Sequence, residues 1–148
     1  MTADAQIVLR KSLTANDLGR TGSHQVGIHV PKLLAPRLPG LDLSIANPEC
    51  WLEVETAFGA MEWRYIYYNK KQFGTGTRDE YRLLHTTGFI ARSRAGIGDV
   101  LEIIRTGDRS LKVAIRPVRD ENQDLVLQIL GQWRVVRTVS SDLDRPVS

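Results

Sequence analysis

Short runs of strand-favouring residues, each ended by a turn signal, recur along the whole chain, and this pattern excludes most folds. An apolar run opens at residues 7–9. Residues 25–30 alternate in polarity, sending Val26, Ile28 and Val30 to one face and Gln25, Gly27 and His29 to the other. Further runs span residues 50–57, 61–69, 81–86, 100–104, 111–118, 125–130 and 133–136. The 61–69 run carries Trp63, Tyr65, Ile66, Tyr67 and Tyr68, side chains that pack well on a pleated surface. Turn formers separate the runs: Asn16, Asp17, Gly19 and Gly22, then Phe58, Gly59 and Ala60, then Gly107 and Asp108, then Asp120, Glu121 and Asn122, then Gly131 and Gln132. Residues 31–38 have room for one short helix, bounded by Pro39 and Gly40. Seven or more short strands with so little helix predict a mainly β barrel or sandwich, in which closure protects the sheet edges.

A chain of 148 residues is the size of one ordinary domain and buries a real core. The pseudobarrel is expected over residues 1–137, with 138–148 a polar tail or the start of a linker. Cys50 is the only cysteine, so neither a disulfide framework nor a cysteine-based zinc site forms within one chain. The first residues lack the basic and apolar regions of a secretory signal, and no apolar run approaches membrane-spanning length. A reducing cytoplasm is the expected compartment.

The net charge is only +3, but its distribution is uneven. Between Arg64 and Arg94 there are seven basic residues and two acidic ones, a local net of +5 that leaves −2 on the rest. A surface that tracks phosphates needs such a concentration. Within it lies Arg78-Asp79-Glu80-Tyr81-Arg82, just after Gly74, Thr75 and Gly76. In an extended segment Arg78, Glu80 and Arg82 share one face and cover about 13 Å. Arginine's planar fork matches the acceptors on guanine's major-groove edge, and a carboxylate accepts from the cytosine amino group. Taken alone, such a triplet is more often a solvated strand edge with weak ion pairs.

Catalytic patterns are scarce. His24 and His29 straddle a loop-to-strand boundary and share no helix face, and His85 is distant in sequence, so hydrogen-bonding surface histidines are the commoner reading. The 74–77 stretch lacks the Gly-Lys-Ser/Thr and helix of a phosphate-cradling loop. Glu53 and Glu55 share a strand face without the lysine or aspartate partner of a nuclease.

Two blocks carry a family resemblance. Residues 13–31, and residues 66–74 followed by 77–82, resemble in order and spacing the N-terminal effector domain of the EcoRII-type restriction endonucleases. That resemblance implies a fold similar to the plant B-three-type domains, a seven-stranded DNA-binding pseudobarrel with one or two short helices. It implies two arms that clamp the major groove of a short duplex, of a CCWGG type where W is A or T. Lys11, Ser23, His24, Gln25 and His29 fall on the N-arm side, where His29 replaces a family tyrosine. Arg20, in the same block, and Lys70, in the second, join the expected DNA-contacting set. Arg78, Glu80 and Arg82 fall on base-reading C-arm positions. The chain departs from the family by lacking lysines around Thr75 or Gly76 and at Tyr81, also in the expected interface, and by one extra hinge residue.

The expectation is therefore a sequence-specific binder of double-stranded DNA with no catalytic residues, no metal and no cofactor of its own. Its partner beyond DNA would be a covalently linked nuclease domain, the only part expected to need magnesium. Two other classes remain open at this point. A single-stranded nucleic-acid binder needs exposed aromatic platforms, for which Trp63, Tyr65, Tyr67 and Tyr68 are candidates. A small hydrolase would use His24, His29 and Glu53 or Glu55 around a metal.

Overall fold

The structure is a computed structural model that describes residues 5–20, 27–118 and 124–139. Each alternating run becomes a strand: β1 (Ala5–Ser12), β2 (Ile28–Val30), β3 (Glu49–Thr56), β4 (Gly59–Tyr68), β5 (Glu80–Leu84), β6 (Val100–Gly107), β7 (Ser110–Arg116), β8 (Leu125–Leu130) and β9 (Trp133–Val139). All nine lie in one sheet, in the order β2-β5-β4-β3-β7-β6-β1-β9-β8. The count exceeds the seven implied by resemblance and equals the number of runs in the sequence. Every pairing is antiparallel except β3 with β7, which is parallel through Val54 and Leu111.

Turn chemistry fixes the hairpins. At the β3–β4 turn the Thr56 hydroxyl donates to the Gly59 carbonyl at 2.8 Å and accepts from the Phe58 amide at 3.0 Å. Gly59 there has φ +106, a conformation that a Cβ disfavours. The expected helix appears as a 3-10 turn at Lys32–Arg37. A second helix, α1 (Thr87–Arg92), stands where no helical period was legible.

Trp63, Trp133, Tyr65 and Phe89 are the bulkiest apolar side chains inside the barrel. Trp63 and Phe89 meet with ring centroids 6.0 Å apart. Although β2 and β9 lie toward opposite ends of the sheet order, the Trp133 indole donates to the His29 carbonyl at 3.1 Å. One side-chain bond thus draws the two ends of the curled sheet together.

β9 runs on through Thr138, which is buried, and Val139. It takes two residues from the stretch read as a polar tail, and residues 140–148 lie outside the described ones. No helix among the described residues is long and apolar enough to cross a membrane.

Candidate nucleic-acid interface

β5 alternates as its sequence requires. Tyr81 and Leu83 point to the core face, where the Tyr81 ring lies 4.1 Å from Tyr67 and 5.8 Å from Tyr65 in near-parallel stacks. Tyr81, expected among the DNA contacts, is partly buried and packs against the core, because the phase of the strand turns its ring inward. Glu80 and Arg82 take the opposite face, and Arg78 precedes them at the end of the 69–79 loop.

The three residues form a charged row. Arg78 donates to Glu80 Oε1 from Nη2 at 2.7 Å and from Nε at 3.1 Å. Arg82 Nε lies 3.4 Å from the same oxygen. Burial works against ionising Glu80, but hydrogen bonds from Arg78 and Arg82 outweigh it and hold the carboxyl below its ordinary value. The Arg78 guanidinium also lies over the Tyr68 ring, 3.5 Å from its centroid. With its side chain 43% exposed, Arg78 presents a donor fork already oriented on two sides.

Arg82 differs from expectation. It is 3% exposed, set in an interior strand opposite His29 on β2 and Ile66 on β4. It lies beneath Glu80, with its side chain largely covered. His29 across the rung is exposed. Desolvation of its ring, and secondarily the positive Arg82, push its pKa below the ordinary value.

Lys11 is likewise covered. It is 5% exposed, and its ammonium donates to the Asp17 carboxylate. Asp17 in turn accepts from the Thr14 amide at 3.0 Å, while the Thr14 hydroxyl accepts from the Asp17 amide at 3.3 Å. Lys11 orders the 13–20 loop and offers no free cation. Arg20 and Lys70 are exposed, as a phosphate contact requires. Ser23, His24 and Gln25 lie outside the described residues.

Below the row, the 69–79 loop folds back on itself through Lys71 N to Arg78 O at 3.1 Å and Thr75 N to Lys70 O at 3.0 Å. Its base is a reciprocal clasp that the sequence did not announce. The Asn47 amide donates to Asn69 Oδ1 at 2.7 Å, and the Asn69 amide to Asn47 Oδ1 at 3.2 Å. Asn47 sits at φ +48, a region asparagine tolerates. Asp79, between Arg78 and Glu80, was read only as a charge, yet it accepts from Lys32, Tyr67 and Gln72.

The other two classes fare less well. Trp63, Tyr65 and Tyr67 are buried, and Arg78 covers Tyr68, so the proposed stacking platforms are not open faces. His29 and Glu53 are separated in the sheet by β5 and β4, about 14 Å at the usual strand spacing. Among the described residues no group of three or more His, Cys, Asp or Glu is placed to hold a metal. His85 stacks on Trp51, 5.3 Å between centroids.

Comparison with known proteins bears on this geometry. The family model for the restriction endonuclease EcoRII N-terminal region matches residues 2–132. The type II restriction enzyme EcoRII of Escherichia coli is 38% identical over 78 residues, covering 49% of this chain and 19% of that enzyme. The chain therefore spans less than a fifth of that relative's length. The B3 domain of the UbaLAI restriction endonuclease, crystallised with cognate DNA, superposes with a TM-score of 0.55 at 16% identity, covering 91% of this chain and 89% of that one. At that identity the likeness establishes the fold, the B3-type pseudobarrel. Taken with the two sequence blocks and the charged row in the second of them, the family match means that the chain belongs to the EcoRII N-terminal family of restriction endonuclease domains.

Proposed function

We propose that this chain is the DNA-recognition module of a type II restriction endonuclease, acting in the cytoplasm and reading a short G·C-rich duplex site of CCWGG type in the major groove. The observation that carries the proposal is the pre-set row of Arg78 and Glu80, backed by Arg82. An arginine already oriented by a carboxylate and an aromatic face loses less conformational freedom on meeting guanine than a free one. Glu80 holds both arginines and keeps acceptor capacity for a cytosine amino group. His29, Arg20 and Lys70 supply flanking contacts, and Ser23, His24 and Gln25 complete the proposed contact set. The module targets or regulates a linked nuclease domain, and any magnesium requirement belongs to that domain.

Selection of bound duplexes from a random pool tests binding and reads the target at once. Against the selected site, Arg78→Ala is expected to cost about 1–3 kcal/mol and to relax preference at one G·C position. Lys70→Ala is expected to weaken all duplexes alike and to flatten the salt dependence by about one unit. An Arg78→Ala variant that binds the selected site like wild type refutes base readout by this row.

A pH dependence follows from His29. In the free protein desolvation, with Arg82 and Lys11, disfavours its charged form and outweighs Glu80 and Asp17, so its pKa is lowered. A phosphate brought near reverses that balance, so binding takes up a proton. Affinity is then expected to rise as pH falls from about 8 to about 6, and the rise is expected to shrink in His29→Gln. Titration of both proteins across that range gives the answer. A wild-type profile that is flat or falls toward low pH rules out a phosphate contact at His29.

A further inference from the structure

We propose that Asp79 is a positioning residue for base readout, fastening the back of the arm so that Arg78 and Glu80 are aimed from its front. The inference rests on the duplex-reading function proposed above.

Asp79 is held from three separate parts of the chain. Its Oδ2 accepts from Lys32 Nζ at 2.5 Å, reaching across from the 3-10 turn. Its Oδ1 accepts from the Tyr67 hydroxyl on β4 and from Gln72 Nε2, within the arm's own loop, at 3.3 Å. Gln72 Nε2 also donates to the Tyr67 hydroxyl at 2.5 Å, which closes the set. Tyr67 cannot drift, because its ring is buried and stacked within 7° of parallel on Tyr81. The anchor is thus part of the barrel wall.

Alternation converts this anchor into aim. Tyr67, which bonds Asp79, and Tyr68, which Arg78 covers, are successive residues of β4 and so face opposite sides of the sheet. With Asp79 tied to the wall, Arg78 and Glu80 are directed outward together. Their mutual bond and the Tyr68 ring then set the guanidinium plane. The bonds from Lys32 and Tyr67 keep Asp79 below the ordinary carboxylate range. Desolvation, with the bond to Asp79, pushes Tyr67 up to about 12. The anchor therefore keeps one protonation state wherever DNA binding is measured.

The charge of Asp79 makes the idea sharply testable. An anion beside a phosphate-tracking surface opposes DNA binding in general, so its removal by itself should tighten every duplex. Positioning predicts the opposite sign at the selected site. The experiment is equilibrium binding of a selected duplex and an unrelated one. It compares wild type, Asp79→Ala, Asp79→Asn, Tyr67→Phe, Arg78→Ala and the Asp79→Ala/Arg78→Ala double variant.

Asp79→Ala is expected to weaken the selected duplex about tenfold while leaving the unrelated one unchanged or tighter. Asp79→Asn, which keeps an acceptor for Tyr67, is expected to recover part of the loss. Tyr67→Phe, which changes no charge and keeps the stack, should show a smaller loss in the same direction. In the Arg78→Ala background, Asp79→Ala should cost nothing further, since there is no reader left to aim.

Tightening of both duplexes alike by Asp79→Ala, or full additivity in the double variant, overturns the proposal. If Arg78→Ala weakens the selected site and the Asp79 and Tyr67 variants do not, positioning alone is wrong. If wild type fails to distinguish the two duplexes, the duplex-reading function fails and the inference falls with it.

Discussion

A Gly27→Ala variant is expected to lose about 4 kcal/mol or more of folding stability, among the largest effects a single methyl can have. Gly27 leads into β2 at φ +81, a conformation that costs an L-residue roughly 1–2 kcal/mol before any contact is considered. The added Cβ would also collide with the Leu83 carbonyl oxygen and lie 2.8 Å from Leu84 Cδ2. The first obstacle is backbone, so no rotamer change relieves it. β2 must then move off β5, and only three residue pairs hold the two together. Thermal unfolding gives the stability, and amide exchange at His29 and Val30 gives the location. A variant that melts within about 1 °C of wild type would show that the approach of Gly27 to β5 is not as described.

The second large effect is expected far from the interface. Arg10 is 1% exposed and bridges two acids, with Nε 2.8 Å from Glu102 and Nη1 2.5 Å from Asp124. Glu102 receives Arg116 as well, at 3.1 Å. Burial disfavours the charge on Arg10, but the bonds from Asp124 and Glu102 outweigh it and raise its pKa. Removing the central cation leaves two carboxylates with little water between β1 and its neighbours. Arg10→Ala is therefore expected to cost about 3–5 kcal/mol, the usual result of stripping one partner from a buried ion pair. For a chain of this size that lowers the melting temperature by roughly 10 °C. Arg10→Lys should recover only part, because a single ammonium does not reproduce a fork that reaches two acids. An Arg10→Ala protein as stable as wild type would mean that the cluster is solvated and the bridge dispensable.

The strands were legible because alternation and turn residues are local signals. Residues 50–57 and 61–69 read as two strands about a turn, and β3 and β4 pair there from Glu49–Ile66 to Thr56–Gly59. The parallel pairing of β3 with β7 was not legible, since nothing local marks two strands more than fifty residues apart as neighbours. Helix α1 is only six residues long and includes Gly88, too short for a helical period to register.

The site divided in the same way. The Arg78–Glu80 relation follows from period two, and the structure keeps it. The burial of Lys11 and Arg82 was not legible because charged residues are usually exposed, and only tertiary placement reveals that Asp17 and Glu80 draw them inside. The Asn47–Asn69 clasp and the Asp79 anchor join residues too distant in sequence for any spacing rule.

The indole of Trp133 has a mechanical consequence. A strand inside a continuous ladder is riveted along both sides. Here, among the described residues, β2, which carries His29, has a strand partner in β5 alone, and on its other side the Trp133 indole bonds its backbone. The wall of the barrel is like a panel hinged along one edge and held by one catch on the other. In the sheet order His29 is next to β5, the strand of Glu80 and Arg82, at the end away from β1 and β9. Because Ile28 and Val30 of β2 are fully buried, the panel cannot lift at the face proposed to grip DNA without uncovering the core, and the catch at Trp133 guards both at once.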